Sequence, residues 1–134
     1  MSGARLVVDA SVIVSALIEP GEAGERIVQR LRGAELHAPD HLAVEVTNSI
    51  RRRRNSGLLS PAESALAIDS FWSLPITLWP FETLAERTWL LGDNLSSYDG
   101  AYVALAELLT VPLVTRDAGI ARAPGPRCDI ELVG

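Results

Sequence analysis

The feature that most constrains this chain is the stretch 5–15, RLVVDASVIVS, in which an unbroken apolar run ends on a carboxylate. Leu6, Val7 and Val8 do not alternate with polar residues, which fits a strand covered on both faces of a parallel sheet. Residues 11–17 then read as a helix, so Asp9 falls at the carboxyl end of the strand, where open α/β sheets place their ligands. Two roles stay open for Asp9 at this level: a cap on the helix that follows, or a reacting group. The choice depends on whether distant parts of the chain bring partners to the same place.

After a break at Glu19, Pro20 and Gly21, helical character resumes over 22–32, with Ile27, Val28 and Leu31 as the apolar stripe and Gly33 as C-cap. Residues 35–38 form a short strand ending at Pro39. Asp40 is placed to cap the next helix, where Leu42, Val46 and Ile50 recur every four positions and Glu45 lies at the edge of that stripe. Arg51 to Arg54 end this helix ahead of Asn55, Ser56 and Gly57. Ser60, Pro61 and Glu63 spell a capping box with proline in the first turn, opening a helix that runs to about Trp72. Residues 76–78 are a third strand, and 81–91 another helix. Ser96 or Ser97 caps a further helix, with Asp99 in its first turn and a body, 101–109, apolar nearly all round and therefore buried. Pro112, Leu113 and Val114 make a fourth strand with Thr115 and Asp117 at its end; 118–122 is a short helix and 129–133 an edge strand. The alternation, over 134 residues without repeats or linkers, predicts one α/β domain. Its expected form is a three-layer sandwich around a mainly parallel sheet of about five short strands.

Composition narrows the chemistry. The formal charge of −5 argues against nonspecific coating of nucleic acid, yet an enzyme that holds divalent cations needs local negative charge. All 12 basic residues are arginines, and the absence of lysine removes Schiff-base chemistry and P-loop ATPases. Cys128 stands alone, without a partner for a disulfide or a thiolate metal site. No apolar stretch is long enough to span a bilayer, and MSGARLVVDA runs into the first strand without a leader pattern, so a cytoplasmic protein is expected.

Two strand ends carry a carboxylate, Asp9 and Asp117, and two helices add Glu45 and Asp99. Parallel strands bring their carboxyl ends to one edge of the sheet, so four acids from distant sequence can converge there. Grouped carboxylates raise each other's pKa unless a cation compensates, so convergence implies a bound metal or a shared proton. An all-oxygen ligand set selects hard ions, Mg²⁺ or Mn²⁺.

VVDASV, the glutamate of LAVEVTNSIRR, SSYDGAYVALAE and LVTRDAGIA, in this order, resemble the PIN-domain ribonucleases and, within them, the VapC toxins of bacterial toxin–antitoxin pairs. The resemblance spans nearly the whole chain. It implies a metal-dependent ribonuclease with Asp9, Glu45, Asp99 and Asp117 as its acids and metal ligands, and Thr115 as the hydroxyl near the metal. Ser11 and Asn48 match positions that are commonly polar around such a site. The implied partners are RNA, a small cognate antitoxin of VapB type and a second copy in a homodimer. Gly100, where alanine is frequent, departs from the pattern and is expected to loosen the turn after Asp99.

Arg51, Arg52 and Arg116 are the arginines nearest Glu45 and Asp117 in sequence, and are expected to contact RNA phosphates. The competing reading of the run is a solvated helix end whose cations favour the dipole. Leu58, Leu59, Phe71 and Trp72 exceed what one helix stripe needs and could receive an amphipathic helix of the antitoxin. His37 and His41 are too few for a histidine metal site and read as surface or capping residues, although His41 lies one turn before Glu45. Trp72, Trp79 and Trp89 read as core or interface residues. Two rival functions remain. An aspartate-dependent phosphotransfer domain would call for a lysine, and a noncatalytic PIN-like scaffold would have no need of the acidic set.

Overall fold

The computed structural model describes residues 3–134; Met1 and Ser2, the start of the stretch expected to carry no leader, lie outside the described residues. Five strands form where apolar runs are short: β1 (Arg5–Val8), β2 (Glu35–Pro39), β3 (Ile76–Trp79), β4 (Leu113–Thr115) and β5 (Ile130–Leu132). Every pairing is parallel, and the order across the sheet is β3-β2-β1-β4-β5. β1 is thus central, and Leu6, Val7 and Val8 are fully buried, as their unalternating sequence requires.

The order has a functional consequence. From β1 the chain steps to β2 and β3 on one side, then returns to place β4 and β5 on the other. The carboxyl ends of β1 and β4 therefore flank the point where strand order reverses, the crevice in which α/β sheets bind ligands. Helices cover both sides of the sheet. On one, α1 (Ala10–Ile18) packs against α2 (Gly21–Leu31), α3 (Leu42–Asn55) and α4 (Pro61–Ser73). Lying across β1, β2 and β4 is α6 (Ser97–Leu109), with α5 (Ala85–Leu90) against it; α7 (Ala118–Arg122) touches β4 and β5. No helix of the described residues is long and apolar enough to cross a membrane.

Most helix ends fall where the capping residues placed them. Ser60 and Glu63 exchange both bonds of the capping box, and the Ser96 hydroxyl accepts from the Asp99 amide. Asp40 departs from expectation. Its amide donates to the Trp79 carbonyl, extending the β2–β3 ladder, so the chain enters α3 through His41 in a helical conformation without a side-chain cap. Residues 81–91 are not one helix either: a 3₁₀ turn (Phe81–Thr83) is joined to α5 at Leu84, whose φ of −109° breaks the spiral while its side chain is buried.

Burial also divides the aromatic residues between the two roles expected of them, core or interface. Trp72 and Trp89 are exposed, so neither is a core residue; Trp79 is half-buried, its indole donating to His37 Nδ1 at 3.0 Å. Phe71 belongs to the core, whereas Leu58 is exposed. Gly100 does not loosen α6. Its amide donates to the Ser96 carbonyl at 2.7 Å, and the residue is buried against Thr88 of α5. A Cβ there would meet Thr88 Cγ2 at 3.4 Å, an ordinary contact. Gly100→Ala should therefore stabilise the fold by about 0.5–1 kcal/mol through helix propensity alone. A lower melting midpoint by calorimetry would mean that the α5–α6 seam has no room for a methyl group.

Candidate active site

Asp9 sits at the end of β1 with 5% of its surface exposed, and it caps α1. Its Oδ1 accepts from the Ser11 hydroxyl at 2.6 Å and the Val12 amide at 3.2 Å, while Oδ2 accepts from the Thr115 hydroxyl at the end of β4. Burial raises the carboxyl's pKa, these hydrogen bonds pull the other way, and the charge of Glu45 raises it further; the outcome lies above the ordinary value. Asp9 is thus a helix cap by geometry, and a buried carboxylate with no arginine among the groups that set its charge state.

The end of β4 is built around the same group. Thr115 is fully buried, and its hydroxyl accepts from the Asp117 amide at 3.0 Å. The Arg116 amide donates to the Ser11 hydroxyl at 3.1 Å. Asp117 is exposed and caps α7, its Oδ1 accepting from Gly119 at 2.7 Å and Ile120 at 3.3 Å. Consecutive residues 115–117 therefore lock β4 to β1 and carry a second carboxylate just past the end of β4.

Asp99, half-buried in the first turn of α6, reports how close the four acids come. Burial is the largest cause of its raised pKa, followed by the charges of Asp117, Glu45 and Asp9. Glu45, in the first turn of α3, behaves differently. Burial would raise its pKa, but hydrogen bonds from His41 and Tyr102 outweigh it and hold the carboxyl below its usual range. The buried Tyr102 hydroxyl donates to Glu45 Oε1 at 2.6 Å, and His41 Nε2 stands 3.3 Å from the same oxygen. Sequence reasoning missed Tyr102 and gave His41 a surface or capping role, while placing it one turn before Glu45. The available signals were helical spacing, with Tyr102 three residues after Asp99 and His41 four before Glu45, and the rule that a buried phenol needs an acceptor.

A groove of about 560 Å³ leads away from the acids, with Ser11, Ser15 and Arg116 on one wall and Glu45, Asn48, Ser49, Arg52 and Arg53 on the other. The α3 residues in it lie three, four, seven and eight positions after Glu45, the spacing of one helix face. Arg51, six positions on, is off that face. It lines an apolar groove between α3 and α4 with Ile50, Arg54, Ile68, Asp69 and Trp72, so proximity in sequence did not separate it from the arginines of the site groove and passed over Arg53. Arg116 reaches the site groove already engaged, donating from Nη1 to Ser15 at 2.6 Å and to Glu19 at 3.1 Å.

The donor set at the cleft is carboxylate and hydroxyl oxygen, which suits a hard divalent cation. Among the described residues no three of the candidate ligand side chains stand at chelating spacing, so closing on an ion calls for side-chain rotation. His37 takes no part: it is buried and closed off by Trp79 and by Glu35, 3.0 Å from its Nε2.

Comparison with known proteins agrees with this geometry. Residues 6–126 match the model of the PIN domain family. Ribonuclease VapC12 of Mycobacterium tuberculosis is 41% identical over 128 residues, covering 96% of this chain and 98% of that one. Ribonuclease VapC9 of the same organism is 35% identical over 128 residues, with the same coverage. Among solved structures, VapBC2 of Rickettsia felis bound to a DNA fragment from its promoter superposes with a TM-score of 0.66 at 13% identity, covering 97% of this chain and 99% of that one. With a domain match over nearly its full length and relatives well above 30% identity, the chain belongs to the PIN-domain family, among the VapC ribonucleases.

Proposed function

We propose that the protein is the toxin of a toxin–antitoxin pair and hydrolyses RNA phosphodiesters with Mg²⁺ or Mn²⁺ held by Asp9, Asp99 and Asp117, with Glu45 beside them. The observation that carries this reading is the placement of Asp9 and Asp117 after the adjacent strands β1 and β4, at the switch point of the sheet, with Asp99 and Glu45 in the first turns of α6 and α3. Grouped carboxylates raise one another's pKa unless a counter-charge is present; burial and neighbouring acids hold Asp9 and Asp99 above their ordinary values, and only Glu45 has a cationic neighbour, His41, that lowers its own. A divalent ion supplies that charge and, in a nuclease, activates water and offsets charge developing on the scissile phosphate.

The chain's own residues do the positioning. Ser11 and Thr115 hold the Asp9 carboxylate in one orientation, and the Asp117 amide holds Thr115 in turn. Arg52 and Arg53, with Asn48 and Ser49 between them and Glu45, offer a path for the phosphates of a single strand leading away from the acids. Sequence choice by the enzyme would come from the shape of this groove. The antitoxin's place in this reading is the apolar α3–α4 groove lined by Ile50, Ile68 and Trp72, whose rim carries Arg51, Arg54 and Asp69. A homodimer and a cytoplasmic setting, where RNA and antitoxin are met, complete the proposal.

Three outcomes test it. Addition of Mg²⁺ or Mn²⁺ should raise the melting midpoint and switch on cleavage of total cellular RNA, and EDTA should abolish both. Asp9→Asn should lose both effects, with cleavage down about a thousandfold or more; cleavage that survives EDTA sinks the metal reading.

The second outcome concerns pH. A carboxyl with a raised folded pKa stabilises the fold below its unfolded value near 3.8, and that contribution is lost as pH rises through the raised value. In chelator at neutral pH, Asp99→Asn should therefore melt higher than the wild-type chain, with the advantage shrinking as pH falls toward 4. With Mg²⁺ present the order should reverse. An Asp99→Asn chain that is less stable in chelator at pH 7 would show that the acids do not repel.

The third separates the two grooves. Losing both Arg52 and Arg53 to alanine should flatten the salt dependence of single-stranded RNA binding by about 0.7 in slope per phosphate contact removed. Arg51→Ala should leave the slope unchanged. Equal slopes in all three proteins would return the arginine run to a solvated helix end.

A further inference from the structure

We infer that Tyr102 is a positioning residue for Glu45: its phenol fixes one carboxylate oxygen so that the other faces the groove. The catalytic consequence rests on the nuclease reading above; the geometry does not. Tyr102 lies in a run of seven successive buried residues of α6, 100–106, that is otherwise Gly, Ala, Val and Leu. A hydroxyl among such neighbours must find an acceptor or lose its solvation. It finds Glu45 Oε1, 57 residues away on α3, at 2.6 Å, the length of a charge-assisted O–H···O⁻ bond.

His41 approaches the same atom. Its Nε2 stands 3.3 Å from Oε1 and 3.2 Å from the Tyr98 carbonyl, and its ring meets those of Tyr98 and Tyr102 edge-on, with centroids 5.7 and 5.1 Å away. Both donors therefore converge on Oε1. Among the described residues Oε2 has no hydrogen-bond partner and no buried side-chain polar atom lacks one, so Oε2 is open to solvent where Glu45 lines the groove. Glu45 is left to offer one oxygen to whatever occupies the cleft, a water, an ion or an RNA hydroxyl, and to offer it in one place.

Tyr102→Phe keeps the ring and removes only the donor, so the fold should hold. With a single-stranded RNA oligonucleotide and Mn²⁺, kcat should fall about tenfold while KM stays within about twofold, in line with the loss of a partner that orients a site carboxylate. Mn²⁺ affinity, read by electron paramagnetic resonance, should fall with it. In a Glu45→Ala background, where the acceptor is gone, Tyr102→Phe should have no further effect on either quantity. Unchanged kcat and Mn²⁺ affinity in Tyr102→Phe, beside an inactive Asp9→Asn, overturn the inference; so does an equal loss in the Glu45→Ala background. A wild-type chain that neither cuts RNA nor binds Mn²⁺ would overturn the nuclease reading instead. The positioning role is then decided by a crystal structure of Tyr102→Phe: a reoriented Glu45 carboxylate supports it, and one that keeps its place refutes it.

Discussion

Asp9 places a carboxylate in the interior at the carboxyl end of the central strand, where water cannot solvate it. A buried polar group left without partners costs about 1–3 kcal/mol, and a charged one more. Three donors replace the water: Ser11 and Val12 from the start of α1, and Thr115 from the end of β4. The two hydroxyl donors are themselves held. Ser11 accepts from the Arg116 amide and Thr115 accepts from the Asp117 amide, so the group that solvates Asp9 also fixes where Asp117 begins. The placing of Asp117 at the end of β4 follows from the solvation of one charge.

The parts of this arrangement written in apolar runs were legible in the sequence. Five strands and the buried helix through 101–106 appear where short apolar segments and caps predict them, and the strand-end position of Asp9 and Asp117 followed from those runs. What could not be read was anything decided by a partner far along the chain. Asp40 looked like a cap until its amide was needed by Trp79, 39 residues on. The exposure of Trp89 depends on which face of α5 meets α6, and two turns of sequence with Leu90 and Leu91 adjacent do not settle that phase. Arg51 is a case of another kind. The helical period was available from Leu42, Val46 and Ile50, and counting from Glu45 by the same period selects Arg52 and Arg53.

Two ion pairs remote from the cleft hold the carboxyl-terminal segment against the rest. Glu107 of α6 takes Arg87 Nε at 2.6 Å and the Arg127 amide at 2.7 Å, and Arg87 also donates to the Gly125 carbonyl, so the turn after α7 is tied to α5 and α6. Arg30 of α2 grips both oxygens of Glu131 on β5, at 2.6 and 2.7 Å. Both glutamates lie below their ordinary pKa: burial opposes the shift at Glu107, where the Arg87 bonds outweigh it, and the Arg30 bond dominates at Glu131. These contacts are half-exposed and individually modest, but they act on the strand that flanks β4.

The bond between Asp9 and Thr115 spans 106 residues of sequence. A ribosome that has made the first strand and the helices carrying Glu45 and Asp99 has therefore made no cleft, because the hydroxyl and the strand that orient Asp9 are still unsynthesised. The site comes into being only when the last fifth of the chain docks beside the first strand. In a family of ribonucleases the consequence is direct: a segment that holds Asp9, Glu45 and Asp99 but lacks β4 carries the acids without the hydroxyl that orients the first of them.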